Sequence, residues 1–240
     1  MLRHAAPAFV QRSLGGRLWR LFDGALSACE VKEVLSGVAA SPYFGRNRSG
    51  HDFYHGTEGF SLVFRSAWRA QVEQQFPYFQ HLFSQTLHPE CNCFYLTVLF
   101  ARRDGQRYHT DDFFESYGRK APRPSDLVSV VYCTPEAIEG GELLLLNVDA
   151  SSPPIHRGRE PPETILAQLA PSCGRLVHFD GRLLHGVAPW RPAQNGDAHG
   201  VAQRVSVVIE QAKLSRIIAR RVPSFSVFCQ RRHREISLAV

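Results

Sequence analysis

Cys93-Phe94-Tyr95-Leu96-Thr97-Val98-Leu99-Phe100-Ala101 decides the fold. The run is apolar almost without interruption, the pattern of a strand buried on both faces. Working outward, Leu127 to Cys133, Glu142 to Asn147, Gly174 to Phe179, a short piece around His185 and Arg204 to Ile209 repeat it, with Gly140-Gly141 as a turn before the second of these. Short strands separated by glycine and proline turns imply a β-sandwich or barrel. Upstream lies a helical block. Leu14, Leu18, Leu21, Leu26 and Val34 recur at near-helical spacing and predict a helix over residues 17–38, ending near Gly37. Residues 41–59 read as loop, Gly59 to Phe64 as a short strand, and 65–75 and 77–87 as helices, the second opened by Pro77. The class is α+β, mainly β, in a single domain over 1–240: helical support and loops in 1–92, the β core in 93–210 and a C-terminal extension in 211–240. Segments 112–126 and 148–172 are polar, proline-rich and longer than simple hairpins, so they are candidate lids over the mouth of a barrel.

The composition is that of an ordinary globular chain, 44% hydrophobic and 21% charged. No apolar run is long enough to span a bilayer, so no membrane partner is expected. The six cysteines are scattered, read as reduced core residues and imply the cytoplasm; Cys91-Asn92-Cys93 has no second pair with which to hold zinc. A net charge of +6 raises nucleic acid as a partner, but the excess sits in Arg3, Arg12, Arg17 and Arg20 and in Arg216, Arg220, Arg221, Arg231, Arg232 and Arg234. Those positions read as solvated ends. The acid-free first 22 residues resemble an organelle presequence in composition, yet the leucine spacing continues into an acidic helix, which favours a structural segment.

Tyr108-His109-Thr110-Asp111-Asp112 and, further on, Gly181-Arg182-Leu183-Leu184-His185 carry the chemistry. Two imidazoles and one carboxylate can ligate one face of a non-haem ferrous ion and leave the other face open. In an extended strand His109 and Asp111 point the same way, and His185 comes from another strand.

The ordered set H-T-D-D, Y-C-T-P-E-A-I-E-G-G-E-L, G-R-L-V-H-F-D-G-R-L-L-H-G-V-A-P and R-V-S-V-V-I-E resembles the Fe(II)/2-oxoglutarate-dependent dioxygenases, in layout their prolyl-hydroxylase-like branch, over about residues 93–210. The resemblance implies a double-stranded β-helix, a jelly-roll or cupin-like barrel buttressed by N-terminal helices. It implies His109, Asp111 and His185 as metal ligands, with Fe(II), 2-oxoglutarate and O2 as cofactors, and it admits ascorbate. Arg204 takes the place of the residue that pairs with the distal carboxylate of 2-oxoglutarate, and Ser206 and Tyr132 the places of its neighbours. Arg191 is the rival, because Arg204 lies nineteen residues after His185 and 191–200 reads as an inserted loop. Arg119, Arg182, Arg191 and Trp190 are candidate substrate contacts, each with a plainer reading as a solvated or packing residue. His178 reads as a core or cavity-lining histidine.

The reaction implied is hydroxylation of an unactivated C–H bond with succinate and CO2 as co-products. Asp111 fills the position that is small in related halogenases, which implies oxygenation over chlorination. A small-molecule substrate such as an amino acid or biosynthetic intermediate is the first expectation, and a prolyl-type protein side chain the alternative. Nucleic-acid demethylation is disfavoured because Glu210 stands six residues after Arg204, where those relatives carry a second arginine. A cupin-like metal protein without catalysis is the remaining reading.

Overall fold

Where periodicity predicts one helix across residues 17–38, the chain forms a short helix α1 (Ala8–Ser13), a strand β1 (Trp19–Phe22) and a separate helix α2 (Ala28–Ala40). The computed structural model describes residues 8–46, 57–101, 103–117, 124–135, 137–147, 165–193 and 203–229. The expected helix is corrected for two local reasons. Gly24 takes a left-handed φ of 64°, and Ser27 makes a capping box: its hydroxyl accepts the Glu30 amide at 3.3 Å while the Glu30 carboxylate accepts the Ser27 amide at 2.7 Å. The S-x-x-E spacing of that box is legible in the sequence and marks the true helix start. The leucine spacing before it belongs to an edge strand.

After β2 (Gly45–Arg46) and β3 (Glu58–Arg65), a 3-10 turn leads into α3 (Arg69–Gln75), and a second, opened by Pro77, leads into α4 (Gln80–Thr86). Then come β4 (Cys93–Ala101), β5 (Gln106–His109), β6 (Leu127–Tyr132), β7 (Ile138–Gly140), β8 (Leu143–Leu146), β9 (Ile165–Leu169), β10 (Leu176–Asp180), β11 (His185–Val187), β12 (Trp190–Pro192) and β13 (Arg204–Ala212). A short helix α5 (Arg216–Ala219) and a strand β14 (Phe225–Phe228) follow. The residues expected as a C-terminal extension thus finish β13 and supply β14, which pairs with β3. Part of the expected lid 148–172 is likewise a strand, β9, paired with β8; residues 118–123 and 148–164 lie outside the described residues.

The strands form antiparallel sheets, mainly β as expected. The larger runs β1-β10-β6-β13-β4-β3-β14 with β2 beside β3; a smaller one runs β5-β11-β8-β9, and β12 pairs with β7. Strand alternation gives the larger sheet two different faces. On β13, Val205, Val207 and Ile209 join Phe60, Phe64, Leu96 and Val98 in a core that also takes in Val31, Val34 and Val38 of α2 and Phe79, Leu82 and Phe83 from the Pro77–Thr86 segment. Burying each such aliphatic or aromatic side chain contributes roughly 1.5–3 kcal/mol. The other face of β13, starting at Arg204, Ser206 and Val208, looks away from the helices and onto a cavity.

β10 carries His178 toward β6, where its Nδ1 and Ser129 Oγ share a hydrogen bond of 2.8 Å, and burial pushes the imidazole down to about 4. Ser129 Oγ in turn accepts the fully buried Gln211 amide at 2.7 Å, so His178 is a satisfied core histidine.

No disulfide joins the six cysteines; Cys91, Cys93, Cys133 and Cys229 are buried, while Cys29 and Cys173 are exposed. Among the described residues no helix is long and apolar enough to cross a membrane.

Candidate metal centre and cavity

His109 ends β5 and His185 begins β11, directly paired across the small sheet, with ring centroids 4.4 Å apart. Asp111 lies two residues beyond His109, past the end of the strand, and still points back at both rings. One ligand atom from each of the three lies within 4.8 Å of the others, and all three residues are buried.

The hydrogen bonds fix what those atoms offer. His109 Nδ1 sits 2.8 Å from the Arg107 carbonyl and His185 Nδ1 sits 3.0 Å from the Leu183 carbonyl. A carbonyl only accepts, so each Nδ1 carries the proton, and in a neutral ring Nε2 is left as a bare lone pair. Both Nε2 atoms face Asp111, at 3.6 Å from Oδ1 and 3.5 Å from Oδ2, outside good hydrogen-bond distance. Asp111 Oδ2 is buried without a hydrogen-bond partner. Three ligand atoms therefore converge on one point, an arrangement that a divalent cation would satisfy. The donor set, two imidazole nitrogens and one carboxylate, suits ferrous iron.

These three residues line one wall of a cavity of about 380 Å³, counted with its open mouth, together with Gln106, Leu143 and Val187 from the small sheet. The opposite wall is Leu99, Val130, Arg204, Ser206 and Val208 from the large sheet. Arg204 is only 2% exposed, and its Nε donates to the Gly141 carbonyl at 2.9 Å. Its guanidinium carbon lies 5.5 Å from the Tyr132 ring centroid. Burial pulls Arg204 below the usual guanidinium range, against the Tyr132 contact and the charge of Glu142. Among the described residues no carboxylate forms an ion pair with Arg204, and a buried charge without a counter-charge is expensive.

The two glycines that read as a simple turn do more than turn. Gly140 and Gly141 have φ of 80° and 75°, and a Cβ on Gly141 would lie 3.0 Å from Arg204 Cδ and 3.2 Å from Trp190 Cβ. The missing side chain lets the Arg204 stem pass.

The structure sorts the other candidates. Ser206 is buried on the cavity wall, two residues from Arg204 as alternation requires. Tyr132 is fully buried in the core beside Arg204, outside the cavity lining, and its hydroxyl donates to the Leu169 carbonyl at 3.4 Å. Arg191 is exposed and bonds Glu139 at 2.7 Å through Nε, away from the cavity. Arg182 is held by Asp180 through a 2.8 Å Nε contact and a second, shorter one. Trp190 is buried under the Arg103 guanidinium, 5.8 Å from its ring centroid. Arg119 lies outside the described residues. Glu210 faces inward, accepting from the Phe113 amide at 3.0 Å and the Ser125 hydroxyl at 2.7 Å; burial, then the nearby Asp111 charge, raise its carboxyl well above the usual range.

Sequence reading missed Gln106, because an odd spacing from His109 places it on the wrong side of a regular strand. It also left unassigned the apolar wall of Leu99, Val130, Leu143, Val187 and Val208, which only the meeting of two sheets creates.

Comparison with solved structures returns Fe(II)- and 2-oxoglutarate-dependent oxygenases, prolyl hydroxylases among them. One is a prolyl hydroxylase from Trichoplax adhaerens in complex with a hypoxia-inducible-factor peptide, 14% identical, TM-score 0.49, covering 85% of this chain and 88% of that one. Another is a 2OG-Fe(II) oxygenase family oxidoreductase from Burkholderia pseudomallei, 13% identical, TM-score 0.49, covering 89% and 95%. A third is HygX from Streptomyces hygroscopicus with nickel and 2-oxoglutarate bound, 12% identical, TM-score 0.48, covering 88% and 89%. No protein-family model matches the sequence, and no curated protein matches it significantly.

Proposed function

We propose that the protein is an Fe(II)- and 2-oxoglutarate-dependent oxygenase that hydroxylates a C–H bond of a small molecule. The observation that carries the reading is the pairing, in one cavity, of the converging His109, Asp111 and His185 ligand atoms with a buried Arg204 that forms no ion pair among the described residues. A divalent ion on the triad and the Arg204 guanidinium together leave two positive charges after Asp111 is counted. A dianion that chelates the metal through one end and meets Arg204 through the other would balance them. 2-Oxoglutarate is such a dianion.

In this reading His109, Asp111 and His185 hold the metal, and their Nδ1 bonds to the Arg107 and Leu183 carbonyls lock both rings in the ligating tautomer. Bound iron supplies the oxidising chemistry, coupling decarboxylation of the oxo acid to hydroxylation. Arg204 and Ser206 orient the distal carboxylate. Tyr132 acts through Arg204, fixing the guanidinium from the core side. The wall of Leu99, Val130, Leu143, Val187 and Val208 excludes water from the reacting centre. We read the two larger sheets as the halves of a double-stranded β-helix, buttressed by the N-terminal helices in a single domain.

We take a small molecule entering by the open mouth of the cavity as the substrate, with a protein side chain as the alternative. The test is succinate release by Fe(II)-loaded protein supplied with 2-oxoglutarate and O2, screened first against amino acids and biosynthetic acids and then against proline-containing peptides. Stimulation by peptides alone transfers the reading to protein hydroxylation, and no succinate under any condition refutes oxygenase activity.

A further inference from the structure

Gln106 and His109 are three residues apart on β5, a spacing that in a regular strand places their side chains on opposite faces. Both line the same cavity. The register explains how. His185 pairs with His109, so regular antiparallel pairing would set Val187 opposite residue 107; Val187 instead pairs with Gln106, and the register shifts between His185 and Val187. Arg107 and Tyr108 therefore share the single opposing residue Gly186, which is a β-bulge, a device that re-aims side chains. Gly186 is what admits it: a Cβ there would lie 2.7 Å from the Tyr108 ring and 3.2 Å from the Gln106 carbonyl.

The side chain so turned is left with a buried Nε2 that has no hydrogen-bond partner. An amide N–H donates only, and burying it unpaired is unfavourable unless something else supplies an acceptor. The cavity holds the acceptor-seeking groups of both walls, Gln106 on the small sheet and Arg204 on the large one. We infer that Gln106 is a ligand-binding residue whose Nε2 donates to an oxygen of the oxo acid, at the end held by the metal. The placement follows from the fold, since Gln106 shares its strand with His109 and pairs with the strand of His185, whereas Arg204 stands on the opposite wall. This inference rests on the oxo-acid reading of the cavity.

The test is calorimetric titration of 2-oxoglutarate into the full chain loaded with Mn(II), with Mn(II) affinity measured separately from the spin resonance of the free ion. Gln106→Leu should weaken 2-oxoglutarate binding about 10-fold or more, the loss of one hydrogen bond to a charged group, and leave Mn(II) affinity within about 3-fold. Gln106→Glu, which sets a carboxylate against a carboxylate, should weaken it further. Because Nε2 has no partner in the ligand-free protein, Gln106→Leu should melt no lower than wild type without ligand. Unchanged 2-oxoglutarate affinity in Gln106→Leu overturns the assignment. So does a parallel loss of Mn(II) affinity, which would make Gln106 a support for the triad. Failure of the wild-type arm to take up 2-oxoglutarate refutes the oxo-acid reading itself, whatever the variants do.

Discussion

Replacing Arg204 with methionine isolates the charge on which the functional reading depends. Methionine keeps most of the stem volume and removes the guanidinium, which is 2% exposed and bonded to the Gly141 carbonyl at 2.9 Å. In the ligand-free protein two effects oppose each other. Removing a buried charge that forms no ion pair is neutral or favourable, while the Gly141 carbonyl loses a donor at about 1–3 kcal/mol and the Tyr132 ring loses its contact with the guanidinium. Ligand-free stability should therefore move by no more than about 2 kcal/mol. The bound state behaves differently, because a carboxylate left in the cavity without its guanidinium costs about 2–5 kcal/mol. That converts to roughly 30-fold to several-thousand-fold weaker 2-oxoglutarate binding. Thermal melting of Mn(II)-loaded protein reads both. Wild type at 2-oxoglutarate one hundred times its dissociation constant should gain about 2.7 kcal/mol, and Arg204→Met at the same concentration under about 1 kcal/mol. Equal ligand-induced stabilisation in the two proteins would refute the assignment and return Arg204 to a structural role.

Asp111→Asn should lose metal affinity by more than the roughly 10–100-fold that removal of an outer-shell partner costs, while its metal-free melting point holds or rises because an unpartnered buried carboxylate oxygen is gone; retained metal binding would sink the ligand set. Gly141→Ala should cost about 1–2 kcal/mol in stability from the left-handed φ alone and also lower 2-oxoglutarate affinity by displacing Arg204 Cδ, both readable in denaturant and ligand titrations. The His178 imidazole, depressed to about 4 by burial, should make the fold acid-sensitive. Its contribution is complete above the unfolded value near 6.5 and is lost as pH falls toward 4, up to about 3 kcal/mol, so His178→Gln should flatten the stability profile in that window; an unchanged profile would contradict it. Ser27→Ala removes the helix cap and should destabilise by about 1 kcal/mol in equilibrium unfolding.

The sequence by itself determined the elements whose information is local. Cys93 to Ala101 reads as a doubly buried strand because nearly every position is apolar, and the expected boundaries match the observed strand. Pro77 opens a helical turn because its fixed φ suits one. The Arg204–Ser206 pair is visible because alternation in a strand is a local rule, and His109, Asp111 and His185 because their side-chain types and order are those of metal ligands. Local rules also misled. Leucine spacing before Ser27 reads as helix, yet Trp19 to Phe22 is a strand because β10 offers it a hydrogen-bonding edge. Only tertiary structure separates Arg204 from Arg191 in space: the first lies on the inner face of a central strand, and the second reaches Glu139 at the surface. It alone turned Gln106 into the cavity, since a bulge is a property of two strands together and depends on Gly186 across the ladder. Side-chain identity fixes which atoms can bind a metal or an anion; where those atoms meet depends on register between strands far apart in the chain, and register is a tertiary quantity.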